Sequence, residues 1–171
     1  EEKTKVALLN VGSEEIKGTE TLKKTYSKLK EVSLNGDFEF NGYIEGNKIP
    51  EGTSNVIVTD GFTGNIALKT GEGTATLVRT LFKETFNKSL MAKIASLIAF
   101  KSLKNLRKRI DPRRVNGGVF LGLNGTIVKS HGGADAIGIS AAITLASQLT
   151  KNNFQKNLES KVFQINNLQN F

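Results

Sequence analysis

The sequence predicts an α/β protein organised around a parallel β-sheet. Three observations favour this class of fold. Short apolar runs end at glycine or aspartate, segments with helical spacing alternate with those runs, and 171 residues suffice for a buried core.

The first part of the chain alternates predicted strands and helices. Residues 6–12 form an apolar run that ends at a glycine, as is typical of a buried parallel strand. Residues 18–30 are good helix formers, and residues 38–44 alternate apolar and polar side chains as a half-buried strand does. Residues 45–55 contain a proline and two glycines and predict a loop. The β-formers at 56–59 predict the clearest strand.

The middle of the chain predicts a projecting helical hairpin. Residues 66–70 turn helical, and residues 74–110 contain neither glycine nor proline while their apolar side chains follow a helical period. A single straight helix of that length would span roughly 55 Å, too long for a compact domain of this size. We therefore expect a hairpin of helices that leaves the body and ends at Asp111-Pro112.

The last part predicts a β-hairpin and then a helix. Asn124-Gly125 lies between apolar runs at 119–123 and 126–128, which is a strong signal for a tight turn between two strands. Residues 134–149 are rich in alanine and isoleucine and predict a buried helix. The polar residues 151–171 predict a loose helix or a tail.

The positive charge is concentrated in one segment. The net charge of the chain is +8, and residues 79–114 hold 11 Lys or Arg residues against two acids, so the remainder is close to neutral. Such a localised charge indicates a dedicated surface. Nucleic acid is the weaker partner for it, and we expect none, because the segment has few aromatic side chains for stacking and no recognised nucleic-acid motif.

Composition also excludes several chemistries. The chain has no cysteine, which excludes a disulfide framework, a thiolate metal site and a cysteine nucleophile. Its one histidine excludes a site built from several histidines of one chain. We therefore expect no metal in the site.

The first candidate site follows the strand at 56–59. Asp60 lies at the carboxyl end of that strand, before a turn with Gly61, Gly64 and Asn65 that leads into a helix. In open α/β sheets ligands bind at this edge, glycines let the backbone approach a ligand, and a helix N-terminus attracts anions. The alternative is that Asp60 and Asn65 only form a turn and cap a helix.

The second candidate site is the segment Lys129-Ser130-His131-Gly132-Gly133, which again lies between a strand and a helix. Lys129 offers a point charge, Ser130 a hydroxyl, and the glycines an open backbone, a combination that suits a phosphate or a carboxylate. The order of residues is not that of a Walker loop. His131 is either a general acid or base near neutral pH or a structural residue.

The third candidate is the basic hairpin. Residues 89–100 hold nine apolar residues in twelve, too few to span a bilayer. An apolar tip with basic flanks suits the headgroup region of an anionic membrane, through residues 89–109. Alternatively two such hairpins bury their apolar faces in a dimer. The apolar candidates are Leu90, Ile94, Leu97 and Ile98.

Two arginines follow the proline that ends the hairpin. Arg113 and Arg114 are able to clamp an acidic partner or a phosphate. Alternatively, they are surface side chains at the end of the hairpin and bind no such partner.

Four stretches together carry a family resemblance. They read LLNVGSEEIKGTE, VTDGFTGNIALKTGEG, DPRRVNGG and LGLNGTIVKSHGGAD, in this order. In order and spacing they resemble the C-terminal half of the bacterial PlsX family of phosphate acyltransferases, over residues 5–150. We therefore expect residues 1–171 to be the C-terminal part of such an enzyme, with the N-terminal half absent from the chain and the piece alone short of part of its site.

The resemblance implies a reaction and a fold. Such enzymes make acyl phosphate for phospholipid synthesis from inorganic phosphate and the thioester of acyl carrier protein, without a redox cofactor. The family fold is a three-layer α/β/α structure similar to isocitrate and isopropylmalate dehydrogenases, with a mostly parallel sheet, as a homodimer. The resemblance also implies a cytoplasmic protein that associates peripherally with the membrane.

The residues fit that chemistry as follows. Asp60, Asn65, Lys129 and His131 are the catalytic candidates. The candidate substrate- or phosphate-binding residues are Gly61, Gly64, Lys69, Asn124, Ser130 and Gly132. Three rival functions stay open: a phosphotransacetylase that uses coenzyme A, a dehydrogenase, and a module that only dimerises or binds membranes. The absence of a GxGxxG fingerprint counts against the dehydrogenase.

Overall fold

The structure is a computed structural model that describes residues 3–109 and 111–168. The chain divides into two compact units, Glu1–Leu77 and Val78–Phe171. Ile110 at the end of the predicted hairpin and residues 169–171 of the predicted tail lie outside the described residues.

The first unit is built on a parallel sheet. Its three strands are β1 (Thr4–Asn10), β2 (Phe38–Glu45) and β3 (Val56–Val58), in the order β2-β1-β3. All pairings are parallel, and helix α1 (Glu20–Ser33) connects β1 to β2. The predicted α/β class and the predicted strands are thereby confirmed, with strand ends shifted by one or two residues.

Strand β1 forms the core of this unit. Residues 6–10 are all buried. Because successive side chains of a strand point to opposite faces, both faces of β1 are covered. Ala7 and Leu9 pack with Ile44 in one cluster, and Tyr26 of α1 packs edge-on against Phe40 at 5.2 Å between ring centroids.

The connection between β2 and β3 contains a 3₁₀ helix where the sequence predicted a loop. Gly46–Glu51 form a 3₁₀ helix. Within β2 the register shifts by one residue opposite β1, and Gly42 at φ 77° lies at the shift. A positive φ is the conformation that glycine tolerates at a bulge.

The long apolar segment forms three helices. Helix α2 (Gly61–Asn87) begins at Gly61, not near residue 66, and continues through Gly71 and Gly73, which lie between the predicted helical segments 66–70 and 74–110. It ends before Ser89, whose hydroxyl accepts a hydrogen bond from the Ala92 amide at 3.1 Å and so begins α3 (Leu90–Ile98). Ala99 separates α3 from α4 (Phe100–Arg109). The segment predicted as a hairpin at 74–110 is thus built from the end of α2 together with α3 and α4, and the hairpin and its projection stay predictions.

The second unit joins a small antiparallel sheet to two helices. Strands β4 (Gly118–Phe120) and β5 (Ile127–Lys129) pair antiparallel, which confirms the hairpin. Its connection runs over residues 121–126 instead of the tight Asn124-Gly125 turn. A 3₁₀ helix (Pro112–Val115) precedes β4, and helices α5 (Ala136–Lys151) and α6 (Phe154–Leu168) follow β5. The polar tail is thus helical over its described part.

Helix α5 is less buried than predicted. Gly138 and Ala142 are its buried residues among those described, whereas Ile143 is 64% exposed and Ile137 and Ile139 are also exposed. Within this unit α5 contacts the preceding 3₁₀ helix, strand β5 and helix α6. The three-layer dehydrogenase-like arrangement stays a prediction.

Candidate functional site

The turn after β3 places Asp60 as the N-cap of α2. The Asp60 carboxylate accepts hydrogen bonds from the backbone amides of Phe62 at 3.0 Å and Thr63 at 2.9 Å. The Thr63 side chain and these amides hold the pKa of Asp60 below its usual range. Asp60 is therefore an ionised cap, and it has no proton to donate near neutral pH.

The glycines of this turn have different surroundings. A Cβ at Gly64 would lie 2.7 Å from Cγ2 of Thr59, so the glycine permits β3 and α2 to meet closely. Nothing lies within 4 Å of a Cβ at Gly61, whose backbone is open. Asn65 is exposed in the first turns of α2, and Lys69 forms an ion pair of 3.7 Å with Glu72 one turn later.

In the second unit the segment from Lys129 to Gly133 joins β5 to α5. Lys129 is the exposed last residue of β5, and Ser130 and His131 follow it at the start of the loop. A Cβ at Gly132 would have nothing within 4 Å, so its backbone is accessible, as an anion site requires. Asn124 lies exposed in the β4–β5 connection.

Asn116 holds this loop in place. Its side-chain Nδ2 donates to Ser130 Oγ at 2.7 Å and to the Gly138 carbonyl at 2.9 Å. Its Oδ1 accepts the backbone N–H of His131 at 3.0 Å. One amide thus uses both of its donor hydrogens and an acceptor to fix the loop against the first turns of α5.

The ring orientation of His131 follows from one contact. Its Nδ1 lies 3.2 Å from the Gly133 amide nitrogen and accepts that N–H. In the neutral imidazole the proton is therefore on Nε2. The side chain is exposed, which leaves the ring accessible to a substrate.

Arg113 ties the start of this unit to α5. Its Nε and Nη2 donate to the two carboxylate oxygens of Asp111 at 2.8 and 2.7 Å, and Nη1 donates to Asp135. Asp135 is the N-cap of α5 and accepts the amides of Ile137 and Gly138. The acidic partner of Arg113 is therefore within the chain, and a clamp on a foreign acid or phosphate is wrong for this residue.

The Arg113 contacts predict a pH-dependent stability. Arg113 lowers the pKa of Asp111 to about 2. A carboxyl whose folded pKa is depressed stabilises the fold above its unfolded pKa, about 3.9, and that stabilisation is lost as the pH falls through the folded value. We expect Arg113→Ala to melt several degrees below the wild type at pH 7, with the difference shrinking between pH 4 and pH 2.

The measurement is thermal unfolding, followed by circular dichroism, of the protein that carries this sequence at its natural length. Arg114→Ala is the matched control, because Arg114 is the neighbouring exposed arginine and forms none of these bonds. A melting difference for Arg113→Ala that stays constant from pH 7 to pH 2 would contradict the assignment.

A groove of about 760 Å³ lies along α5. Arg114 is the cation among its described lining residues, which otherwise offer hydroxyl, amide and apolar side chains such as Ser140, Thr144, Gln148 and Leu145. Such a lining suits a ligand with an anionic end and an apolar body. Within residues 3–109 and 111–168 no cluster of three His, Cys, Asp or Glu side chains is arranged to hold a metal.

The sequence-based candidates thus fall into two groups, one in each unit. Asp60, Gly61, Gly64, Asn65 and Lys69 lie at the start of α2, and Asn124, Lys129, Ser130, His131 and Gly132 lie around the end of β5. Sequence reasoning missed Asn116 and Asp135. Asp135 had a local signal, an aspartate immediately before an apolar helical run. Asn116 lies in the motif DPRRVNGG, but no local pattern indicates its contacts, since its partners are 14 to 22 positions away.

Comparison with known proteins assigns the family. The chain belongs to the fatty acid synthesis protein family, whose model matches residues 1–157. This confirms the resemblance inferred from the four motifs, and the corresponding region of the relatives is their C-terminal part.

Several curated relatives are similar over nearly the whole chain. A protein of Paracoccus denitrificans (strain Pd 1222) is 57% identical over 163 residues, which are 95% of this chain and 44% of the relative. One of Ruegeria sp. (strain TM1040) is 56% identical over 158 residues, 92% of this chain and 42% of the relative. One of Jannaschia sp. (strain CCS1) is 55% identical over 160 residues, which are 94% of this chain and 44% of the relative. Each is named phosphate acyltransferase, and the chain spans less than half their length.

Proposed function

We propose that the chain is part of an enzyme that transfers an acyl group from acyl carrier protein to inorganic phosphate and so makes acyl phosphate for phospholipid synthesis. The observation that carries the proposal is the similarity to relatives named phosphate acyltransferase, up to 57% identical over 95% of the chain. The loop after β5 supports it, because a lysine, a hydroxyl and an open glycine backbone stand together there.

The reaction is a direct displacement at a thioester. A phosphate oxygen attacks the carbonyl carbon, the C–O bond forms, the C–S bond breaks, and the carrier thiolate leaves and takes up a proton. Lys129, Ser130 and the Gly132 backbone bind the phosphate in this proposal. His131 carries its proton on Nε2 and is the candidate hydrogen-bond donor that stabilises the departing sulfur, while the proton that the thiolate takes up comes from the attacking hydrogen phosphate or from solvent. The absence of cysteine accords with a mechanism without an acyl-enzyme.

The start of α2 has a positioning role in the same proposal. The Asp60 carboxylate is already occupied by backbone amides, so its contribution is to fix the first turn of the helix. Asn65 and Lys69 are exposed on that helix and are the candidates of this unit for contact with substrate. Gly64 is structural, and Gly61 leaves its backbone open to substrate.

The experiment is a turnover assay of the natural-length protein with acyl carrier protein thioester and inorganic phosphate. Acyl phosphate is trapped with hydroxylamine, which converts it to a hydroxamate. Parallel reactions with acyl coenzyme A test the phosphotransacetylase alternative. Hydroxamate that forms only with the carrier-protein donor and only with phosphate supports the proposal, and release of free fatty acid alone contradicts it.

We also propose that α3 lies on an anionic membrane surface. Leu90, Met91, Leu97 and Ile98 are each at least 74% exposed, a high fraction for large apolar side chains. Exposed lysines flank and interrupt the helix at Lys88, Lys93, Lys101 and Lys104. No described helix is both long and apolar enough to cross a membrane. A short apolar helix with lysines around it suits the headgroup layer.

Leu97→Glu and Ile98→Glu are expected to weaken binding to anionic vesicles at least about tenfold, because each removes a side chain worth roughly 1.5–3 kcal/mol on burial and adds a negative charge. The measurement is co-sedimentation with phosphatidylglycerol vesicles at two salt concentrations. Leu34→Glu is the control, since Leu34 is 78% exposed in a turn after α1. Unchanged binding together with loss of a dimer in sedimentation velocity would assign this face to a second copy of the chain instead.

A further inference from the structure

Ser130 is held by Asn116 in a way that determines the direction of its hydroxyl proton. The orientation of the Asn116 amide follows from two contacts that tolerate no exchange of its oxygen and nitrogen. The Gly138 carbonyl at 2.9 Å needs a donor, and the His131 N–H at 3.0 Å needs an acceptor. The atom that faces Ser130 Oγ is therefore the NH₂ group, and Ser130 must accept.

A hydroxyl that accepts from an amide keeps its own proton for another partner. Ser130 has one O–H donor, and Asn116 has no acceptor atom on that side. In the part of the chain that the structure describes, the 2.7 Å contact with Asn116 is the hydrogen bond of the Ser130 hydroxyl. The Ser130 proton is thus directed away from Asn116 and is available to an acceptor other than Asn116.

The local packing supports this arrangement. Gly138 is buried, and a Cβ there would lie 3.2 Å from Asn116 Nδ2 and 3.0 Å from the Ala134 Cβ. A side chain at this position would crowd the Asn116 amide where it approaches the α5 backbone. Asn116 is also the residue at which the 3₁₀ helix Pro112–Val115 ends, so its own backbone is fixed from the N-terminal side.

We infer that Asn116 is a positioning residue that makes the Ser130 hydroxyl a dedicated hydrogen-bond donor to an oxygen of the bound phosphate. This inference rests on the proposed function for the identity of the anion. Asn116 itself does not touch phosphate. It donates a hydrogen bond to the Ser130 oxygen and so leaves the Ser130 proton for another acceptor.

Asn116→Asp is the informative substitution, because the carboxylate has nearly the same shape but only accepts. The Ser130 proton would then turn toward residue 116 and be lost to the phosphate. A negative charge near the site also repels phosphate, so the single variant is not sufficient. The double-mutant cycle with Ser130→Ala separates the two effects.

The expected results are specific. Ser130→Ala in the wild-type background weakens binding of inorganic phosphate about tenfold, as loss of a hydrogen bond to a charged group does. In the Asn116→Asp background Ser130→Ala weakens phosphate binding less than about twofold, because the Ser130 hydroxyl there donates to the carboxylate at position 116 and no longer to phosphate. Simple charge repulsion leaves the tenfold effect of Ser130→Ala intact and overturns the inference. Asn116→Ala, which removes the amide donor without adding charge, repeats the cycle if Asn116→Asp does not fold.

Two readouts on the natural-length protein keep this inference apart from the proposed function. The first is equilibrium dialysis with radioactive inorganic phosphate alone, and the second is the KM for phosphate compared with the KM for the acyl donor. A rise confined to the phosphate KM supports the inference, and an equal rise in both KM values overturns it.

If phosphate binding changes across the double-mutant cycle as expected but no turnover is detected, the inference is upheld and the proposed function is contradicted. No phosphate binding by the wild type overturns the inference. Asn152→Asp, at the exposed end of α5, controls for the added charge.

Discussion

Replacing Lys129 by alanine is expected to lower kcat/KM for inorganic phosphate roughly 10- to 100-fold, the range for loss of one hydrogen bond to a charged group. Lys129 is the exposed last residue of β5 and immediately precedes the loop that Asn116 fixes. The backbone position of the lysine is thus set by the strand, while its ammonium group is accessible to a ligand. The measurement is initial rates at varied phosphate with saturating acyl donor.

Two variants sharpen the interpretation of Lys129→Ala. Lys129→Arg keeps the charge and is expected to retain most of the activity, since a phosphate dianion accepts from either cation. Lys156→Ala removes an equally exposed lysine from α6 and is expected to leave both constants unchanged. If Lys129→Ala leaves the phosphate KM and kcat at their wild-type values, the anion site lies elsewhere.

The sheet of the first unit was predictable because its signals are local. The apolar run of β1, the alternation in β2 and the β-formers of β3 each specify a strand without reference to distant residues. The same holds for Asp60, where an aspartate before a glycine and a helical segment is a cap signal. The structure supports the simpler of the two interpretations offered for its carboxylate, a helix cap.

Helix α2 shows where local signals mislead. Gly71 and Gly73 each cost about 1 kcal/mol relative to alanine in a helix, so propensity favours a break there. The helix nevertheless continues, and the Thr74 and Thr76 hydroxyls donate to carbonyls one turn earlier in this stretch. The break comes instead at Ser89, where a hydroxyl caps a new helix, a polar signal that the apolar periodicity concealed.

The polar network of the second unit could not be predicted from local patterns. Asn116, Ser130 and Gly138 come together only because the β4–β5 hairpin and α5 fold back onto the 3₁₀ helix. Arg113 meets Asp135 across 22 positions in the same way. Sequence reasoning named candidate residues for the chemistry, and the structure adds the neighbours that contact them.

Gly117→Ala is expected to destabilise the protein by about 3 kcal/mol or more, from backbone strain and overcrowding together. Gly117 has φ 129°, a conformation that L side chains rarely adopt. A Cβ there would lie 3.0 Å from both Leu145 Cδ2 of α5 and Val128 Cγ1 of β5. The strain cannot be relieved by moving one side chain, because the positive φ would remain. The measurement is the free energy of unfolding in urea.

Gly118→Ala is the matched control for Gly117→Ala. Gly118 is the next residue and begins β4, but nothing lies within 4 Å of its Cβ position and its φ is not in the positive range. We expect it to change stability by less than about 1 kcal/mol. Because Gly117 adjoins Asn116, molecules of Gly117→Ala that remain folded are also expected to bind phosphate more weakly. Equal stability of the two variants would contradict the close contact of Gly117 with β5 and α5 that the structure describes.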